Sequence, residues 1–231
     1  MGKSIKDIHI ILNYGHAKNT PGKHSPKYST LTRYDQEYFK QFPEFGEDRF
    51  YEWMSNRVIG KKIATTLRER GWNVHEVYPE GDADMPLNTV VAKTNEICKK
   101  YKATNCVFVS IHSNALGNGT NWMSARGWCI YTTKGKTISD KFADYVFKYA
   151  ESEFKEQAQK VRKDMSDGDP DYEANFTVIK GAKCAAILTE SFFYDNLHDL
   201  KYLVSDQGQH DIVWVHVQGI EDYIYKEKIN K

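Results

Sequence analysis

The sequence has no long apolar run, no excess of charge of one sign and no closely spaced cysteines, and each absence narrows what the protein can be. No stretch approaches the roughly 20 apolar residues needed to span a bilayer, so membrane insertion is not expected. The apolar run near the start, IHIIL at 8–12, is interrupted by His9, is too short for a signal core and leads into no small-residue cleavage site. Cytoplasmic synthesis without a signal peptide is therefore expected. Lys and Arg number 32 against 31 Asp and Glu, a net charge of +1, with the two signs interspersed. That balance gives no general attraction to nucleic acid, so no such partner is expected. Cys98, Cys106, Cys129 and Cys184 lie far apart with no C-x-x-C pair, which argues against a zinc ribbon or a disulfide framework and for buried free thiols in a reducing compartment. Repeats, Pro-rich linkers and low-complexity tails are also missing. At 231 residues, the chain is expected to form one domain with a sizeable core.

What is present is an alternation of strand-like and helical patterns. Short β-branched or apolar runs at 8–13, 73–77, 106–111, 128–132 and 185–189 predict strands. Between them, Val58, Ile59, Ile63 and Leu67 form a helical stripe that stops at Gly71. Asp84 with Pro86 is expected to open a second helix, with an apolar face from Leu87 to Cys98. A third starts near Ser139, and a fourth carries Val213, Val217, Ile220 and Ile224. The alternation predicts α/β architecture, a single domain with a largely parallel twisted sheet flanked by helices. Residues 17–50 and 155–176 lack a period. The first of these, a long aromatic-rich loop after the first strand, is expected to be a binding element, because Tyr28, Tyr34, Tyr38, Phe39, Phe42 and Phe45 are too aromatic for a disordered tail.

The stretch ILNYGHAKNTPGKHSP at 11–26 tests a phosphate cradle first. A P-loop needs G-x-x-x-x-G-K-[ST], but Ala17 stands where the first glycine belongs and His24 where the hydroxyl belongs. That reading fails, and His16 remains. His112 follows the run CVFVSI and Glu190 follows AAILT, so three predicted strands each end in a residue that binds metal or moves protons. In an open α/β sheet, ligands gather at the carboxyl ends of strands. A catalytic zinc site takes three N or O ligands and keeps a position for water, so a carboxylate is still needed. Glu52, Glu47 and Asp48 all stand near the start of the first long helix, and position alone does not choose among them.

These residues resemble a known family, the zinc-dependent N-acetylmuramoyl-L-alanine amidases of bacteria and phages, of the Amidase_3 type. The family pattern is a first strand ending in Gly-His, a Glu opening the first long helix, a strand ending S-[IL]-H-x-[ND]-A, and a late strand ending in Glu before an aromatic and an Asn. Here these read YGH at 14–16, YEWMSN at 51–56, SIHSNA at 110–115 and LTESFFYDN at 188–196, in order across about residues 5–225. The resemblance implies that His16, Glu52 and His112 hold one zinc per chain and that Glu190 is the catalytic acid/base. It favours Glu52 over its two rivals. Two departures stand out: Asn13-Tyr14 replaces the usual Asp-Pro before Gly-His, and Ser191 replaces a usual Gly before the late Phe. The first is expected to alter how neighbouring groups orient His16.

The implied reaction is hydrolysis of the amide joining N-acetylmuramic acid to L-alanine in peptidoglycan or muropeptides. Zinc lowers the pKa of bound water to roughly 7, and Glu190 can pass the proton on to the leaving amine. An extended substrate needs an open groove, with the 18–50 loop and Arg162 as expected walls and Asn114, Arg162 and Asn196 as expected substrate-binding side chains. A monomer without a separate wall-binding domain is expected, reaching the wall by export or phage-pore release or else acting on cytosolic wall fragments. A zinc peptidase is disfavoured because Asn19, not Glu, stands three residues after His16. A catalytically silent wall-binding module is disfavoured because no ligand and no acid/base residue is lost.

Overall fold

Six strands form one sheet in the computed structural model, which describes residues 3–230. They are β1 (His9–Tyr14), β2 (Asn73–Val77), β3 (Cys106–Asn114), β4 (Cys129–Thr132), β5 (Tyr172–Glu173) and β6 (Ala185–Phe193), in the spatial order β2-β1-β3-β6-β4-β5. Strands β2, β1, β3 and β6 run parallel, β4 is antiparallel to β6, and β5 is parallel to β4. This is the expected α/β architecture with a largely parallel sheet.

Alternation along the strands sends side chains to opposite faces. Ile10 and Leu12 of β1, Val109 and Ile111 of β3, and Ile187 of β6 meet α2 (Glu52–Glu69), α4 (Ile138–Glu156) and α7 (Asp206–Ile224). Ile11, Phe108, Ala186 and Leu188 meet α3 (Leu87–Tyr101) and the short α5 (Thr177–Gly181) on the other face. From β1 the chain passes through α2 to β2 on one side, then through α3 to β3 on the other. That divergence opens a crevice beyond the carboxyl ends of β1 and β3, where open α/β sheets bind ligands.

The 17–50 segment has more structure than expected. It contains α1 (Arg33–Phe39), and its Tyr28, Phe39, Phe45 and Phe50 are buried in the main core. Tyr28 stacks on Phe39 with centroids 4.5 Å apart and Phe50 on Tyr194 at 5.5 Å. Lys201 pairs with Asp35, and the Tyr38 hydroxyl donates to the Lys201 carbonyl. These contacts tie the segment to α6 (Leu197–Val204), a helix too short to announce itself by period. Asn196 caps it, accepting from the His198 and Asp199 N–H groups. Helix α7 starts at Asp206, earlier than its apolar stripe, because the Ser205 hydroxyl accepts from the Gly208 N–H. Asp84 does not open α3, whose N-cap is Pro86. All four cysteines are free and buried, and no helix among the described residues is long and apolar enough to cross a membrane.

Gly60 lies in the middle of α2, where glycine costs roughly 1 kcal/mol relative to alanine. A Cβ there would lie 2.1 Å from the ring of Tyr14, which packs against the helix. Overpacking of this kind costs about 1–3 kcal/mol, more than the helix propensity returns. Gly60→Ala is therefore expected to lower the urea midpoint, and an unchanged or higher midpoint would show that Tyr14 moves aside freely.

Candidate active site

Each site residue stands at the end of an element that fixes it. His16 follows β1 with φ of 67°, in the left-handed region that non-glycine residues rarely adopt. Gly15 before it is required by packing, because a Cβ there would lie 1.9 Å from the His112 ring. The Asn56 side chain donates to the Gly15 carbonyl at 3.0 Å, holding the turn against α2. Glu52 is the first residue of α2 and is 1 % exposed. His112 and Glu190 are register partners on β3 and β6. Just beyond them, Asn114 pairs with Phe193, so β6 carries one extra residue, and Phe192 takes a φ of 64°. Such a bulge re-aims side chains beside a site. Behind β6, the Thr189 hydroxyl meets His216 Nε2 at 2.8 Å, anchoring the strand to α7 one residue before Glu190.

The ligating atoms of His16, Glu52 and His112 all lie within 4.8 Å of one another. Glu52 Oε1 is 3.1 Å from His112 Nδ1 and 3.4 Å from His16 Nε2. Tetrahedral zinc, with bonds of about 2.0–2.1 Å, places neighbouring ligand atoms about 3.3 Å apart, so the cluster has the right dimensions. The hydrogen bonds agree. Ser110 donates its hydroxyl proton to Asn13 Oδ1 at 2.8 Å, leaving its oxygen to accept from His112 Nε2 at 3.2 Å. That chain assigns the proton of a neutral His112 to Nε2 and turns a lone pair on Nδ1 toward Glu52 Oε1. A metal ion would suit two acceptors facing each other, and without an ion a protonated His112 donates from Nδ1 to Oε1 instead. Glu47 and Asp48 are exposed and lie outside the cluster.

Asn13 therefore acts in an unexpected place. Its amide donates to the Val77 carbonyl at 2.7 Å and its oxygen serves Ser110, so this departure from the family pattern orients His112 and not His16. The group facing His16 is Asp84, with Oδ2 3.8 Å from Nδ1 and held by the Thr20 hydroxyl at 2.6 Å. The register gives a partial signal in hindsight, since Asn13 and Ser110 are partners across β1 and β3. Nothing in the sequence singles out Asp84 for this position.

Electrostatics separates the two glutamates. Burial opposes the charge of Glu52, but the hydrogen bond from His112 and the charges of both histidines outweigh it and hold its carboxyl at about 2. Glu190 has no such hydrogen bond. Burial dominates there, pushing it up to about 7, with the Glu52 charge adding to the rise. Its Oε2 is enclosed without a hydrogen-bond partner. Burial holds His16 down at about 4.

A cavity of about 500 Å³ opens over these residues, and His16, His112 and Glu190 line it. Its further walls come from the start of α3, with Met85 and Leu87, and from Phe176 and Thr177 at α5. Leu87 and Phe176 are among the few large apolar side chains left exposed. Of the 18–50 segment, only Thr20 and Lys23 reach the cavity. Arg162, Asn114 and Asn196 do not line it. The Arg162 guanidinium sits over Phe193 and Tyr172, and the Asn196 side chain caps α6 and donates to the Met123 carbonyl. Asn114 uses its side-chain oxygen on the Ala115 N–H.

The fold is similar to solved amidases. An N-acetylmuramoyl-L-alanine amidase from Clostridium difficile 630 superposes with a TM-score of 0.72 at 22% identity, covering 97% of this chain and 100% of that one. The catalytic domain of CwlV, an N-acetylmuramoyl-L-alanine amidase from Bacillus (Paenibacillus) polymyxa var. colistinus, gives 0.67 at 20% identity, covering 94% and 98%. The catalytic domain of the CD27L endolysin, which targets Clostridia difficile, gives 0.59 at 17% identity, covering 93% and 97%. No curated protein matches the sequence. The sequence pattern of the N-acetylmuramoyl-L-alanine amidases, Amidase_3, matches residues 10–222, nearly the whole chain with all four converging residues inside it, and the protein belongs to that family.

Proposed function

We propose that this chain hydrolyses the amide between N-acetylmuramic acid and L-alanine in peptidoglycan, acting as a monomer with one zinc held by His16, Glu52 and His112 and with Glu190 as acid/base. The observation that carries the reading is the meeting of these four residues at the carboxyl ends of β1, β3 and β6 and the start of α2, inside a family match spanning residues 10–222. Zinc in a site with two imidazoles and one carboxylate supplies Lewis acidity toward the scissile carbonyl and makes water a better nucleophile at neutral pH.

The chain's own residues do the rest. Glu190 lines the cavity floor and is not part of the ligand cluster. Burial raises it to about 7, the range in which a carboxyl both accepts and returns a proton near neutrality. It takes the proton from the attacking water and delivers it to the amide nitrogen, which leaves poorly unless protonated. His112 keeps its orientation through Ser110 and Asn13 while this happens. The cavity, lined by residues at the starts of α3 and α5, is where the substrate would lie, with the exposed Leu87 and Phe176 as its apolar flanks.

Metal analysis of the purified protein is expected to find about one zinc per chain, lost in Glu52→Ala and kept in Glu47→Ala. Loss in Glu47→Ala instead would overturn the ligand assignment. Glu190→Gln is expected to retain zinc and fold but to lose about 100-fold or more in rate, and full activity in that variant would remove Glu190 from the chemistry. Digestion of purified peptidoglycan, followed by mass spectrometry, should release stem peptides with a free L-alanine amino terminus and leave glycan strands uncut. New reducing ends would indicate a glycosidase, and shortened stems still attached to sugar a peptidase.

A further inference from the structure

The Gly22-Lys23 pair, which fails as a phosphate cradle, reaches the metal ligands by another route. Gly22 turns the chain with φ of 71°, and the strap after it runs antiparallel to the residues entering α2. The Lys23 carbonyl accepts the N–H of Glu52 itself at 3.0 Å, and His24 bridges to Tyr51. The Ser25 N–H donates to the Phe50 carbonyl at 3.0 Å, while the Phe50 N–H donates to the Ser25 hydroxyl at 3.0 Å. The backbone of Lys23 is thus zipped to the backbone of Glu52, and its side chain turns into the cavity.

The two oxygens of Glu52 have different neighbours. Oε1 faces both histidines and accepts the Ser113 N–H at 3.2 Å. Oε2 is buried with no hydrogen-bond partner, and the Lys23 ammonium lies 3.6 Å from it. We propose that Lys23 is a positioning residue that keeps Glu52 a one-oxygen metal ligand, its ammonium holding Oε2 so that only Oε1 is offered to the ion. A carboxylate binding through both oxygens would fill the position that a catalytic site leaves open for water. The Lys23 side chain is 40 % exposed, so removing its charge leaves the core untouched, and its backbone bond to Glu52 survives any substitution that keeps the backbone in place. The inference rests on His16, Glu52 and His112 being the ligands.

The test uses cobalt(II)-exchanged protein, because the visible absorption of a four-coordinate cobalt ion weakens when a further ligand atom joins it. At matched metal content, Lys23→Met is expected to lose most of that absorption. As the zinc protein acting on muropeptides, it should lose about tenfold or more in kcat with KM nearly unchanged. Lys23→Arg restores the cation and should keep both properties near the parent. Lys23→Gln takes the place of Lys23→Met if the latter does not fold, as judged by thermal unfolding of the metal-free proteins. A parental spectrum in the uncharged variant overturns the proposal, and so does a Lys23→Arg protein that behaves like Lys23→Met. An unaltered protein that takes up no cobalt overturns the ligand assignment itself, a result distinct from the other two.

Discussion

Parallel pairing of β1 with β3 brings the Gly15-His16 turn against the His112 ring, and the rest of the site is built on that contact. The approach is so close that position 15 admits no side chain. Asn56 of α2 fixes the same turn from the other side, so the helix that supplies Glu52 is registered on the strand end that supplies His16. Three residues of the proposed metal site, from three elements, thus share one short turn as their reference. Gly60 repeats the device one helical layer deeper, letting α2 lie on Tyr14.

The environment then divides labour between two residues of the same type. Glu52 and Glu190 are both carboxylates in the same crevice, yet one meets two imidazoles and a backbone N–H while the other is buried with Oε2 lacking a hydrogen-bond partner. Low pKa suits a ligand that must remain charged. A pKa near neutrality suits a group that takes up and gives back a proton. The division follows from placement, since β6 delivers Glu190 beside His112 but leaves it without a donor.

The aromatic 17–50 segment supports the site from behind more than it walls the groove. Phe39, Phe45 and Phe50 extend the core toward Tyr194 and α6, which holds the strap carrying Lys23 against the start of α2. The groove walls come instead from the helices on the opposite face of the sheet. By strand alternation His112 and Glu190 lie on the same face as Phe108 and Leu188, and they line the cavity together with residues at the starts of α3 and α5.

How much of this was legible beforehand follows from the range of each interaction. Strand and helix identities rest on local periodicity, and the runs at 8–13, 73–77 and 106–111 and the stripes of α2 and α3 lie close to where the sequence puts them. Four motifs at element ends, in family order, marked His16, Glu52, His112 and Glu190. The sequence could not place Asn13, Asp84, Lys23, Leu87 or Phe176 at the site, because their roles depend on strand register and on loops crossing from distant positions. Nor could it separate the aromatic residues of a buried subcore from those of a groove wall, since both have the same composition. Composition and period determined the architecture, and the resemblance of four ordered motifs to a family marked the candidate reactive groups. Tertiary structure alone decided which polar atoms face one another, because a hydrogen bond or a metal ligand requires a match of a few tenths of an ångström that no local pattern encodes.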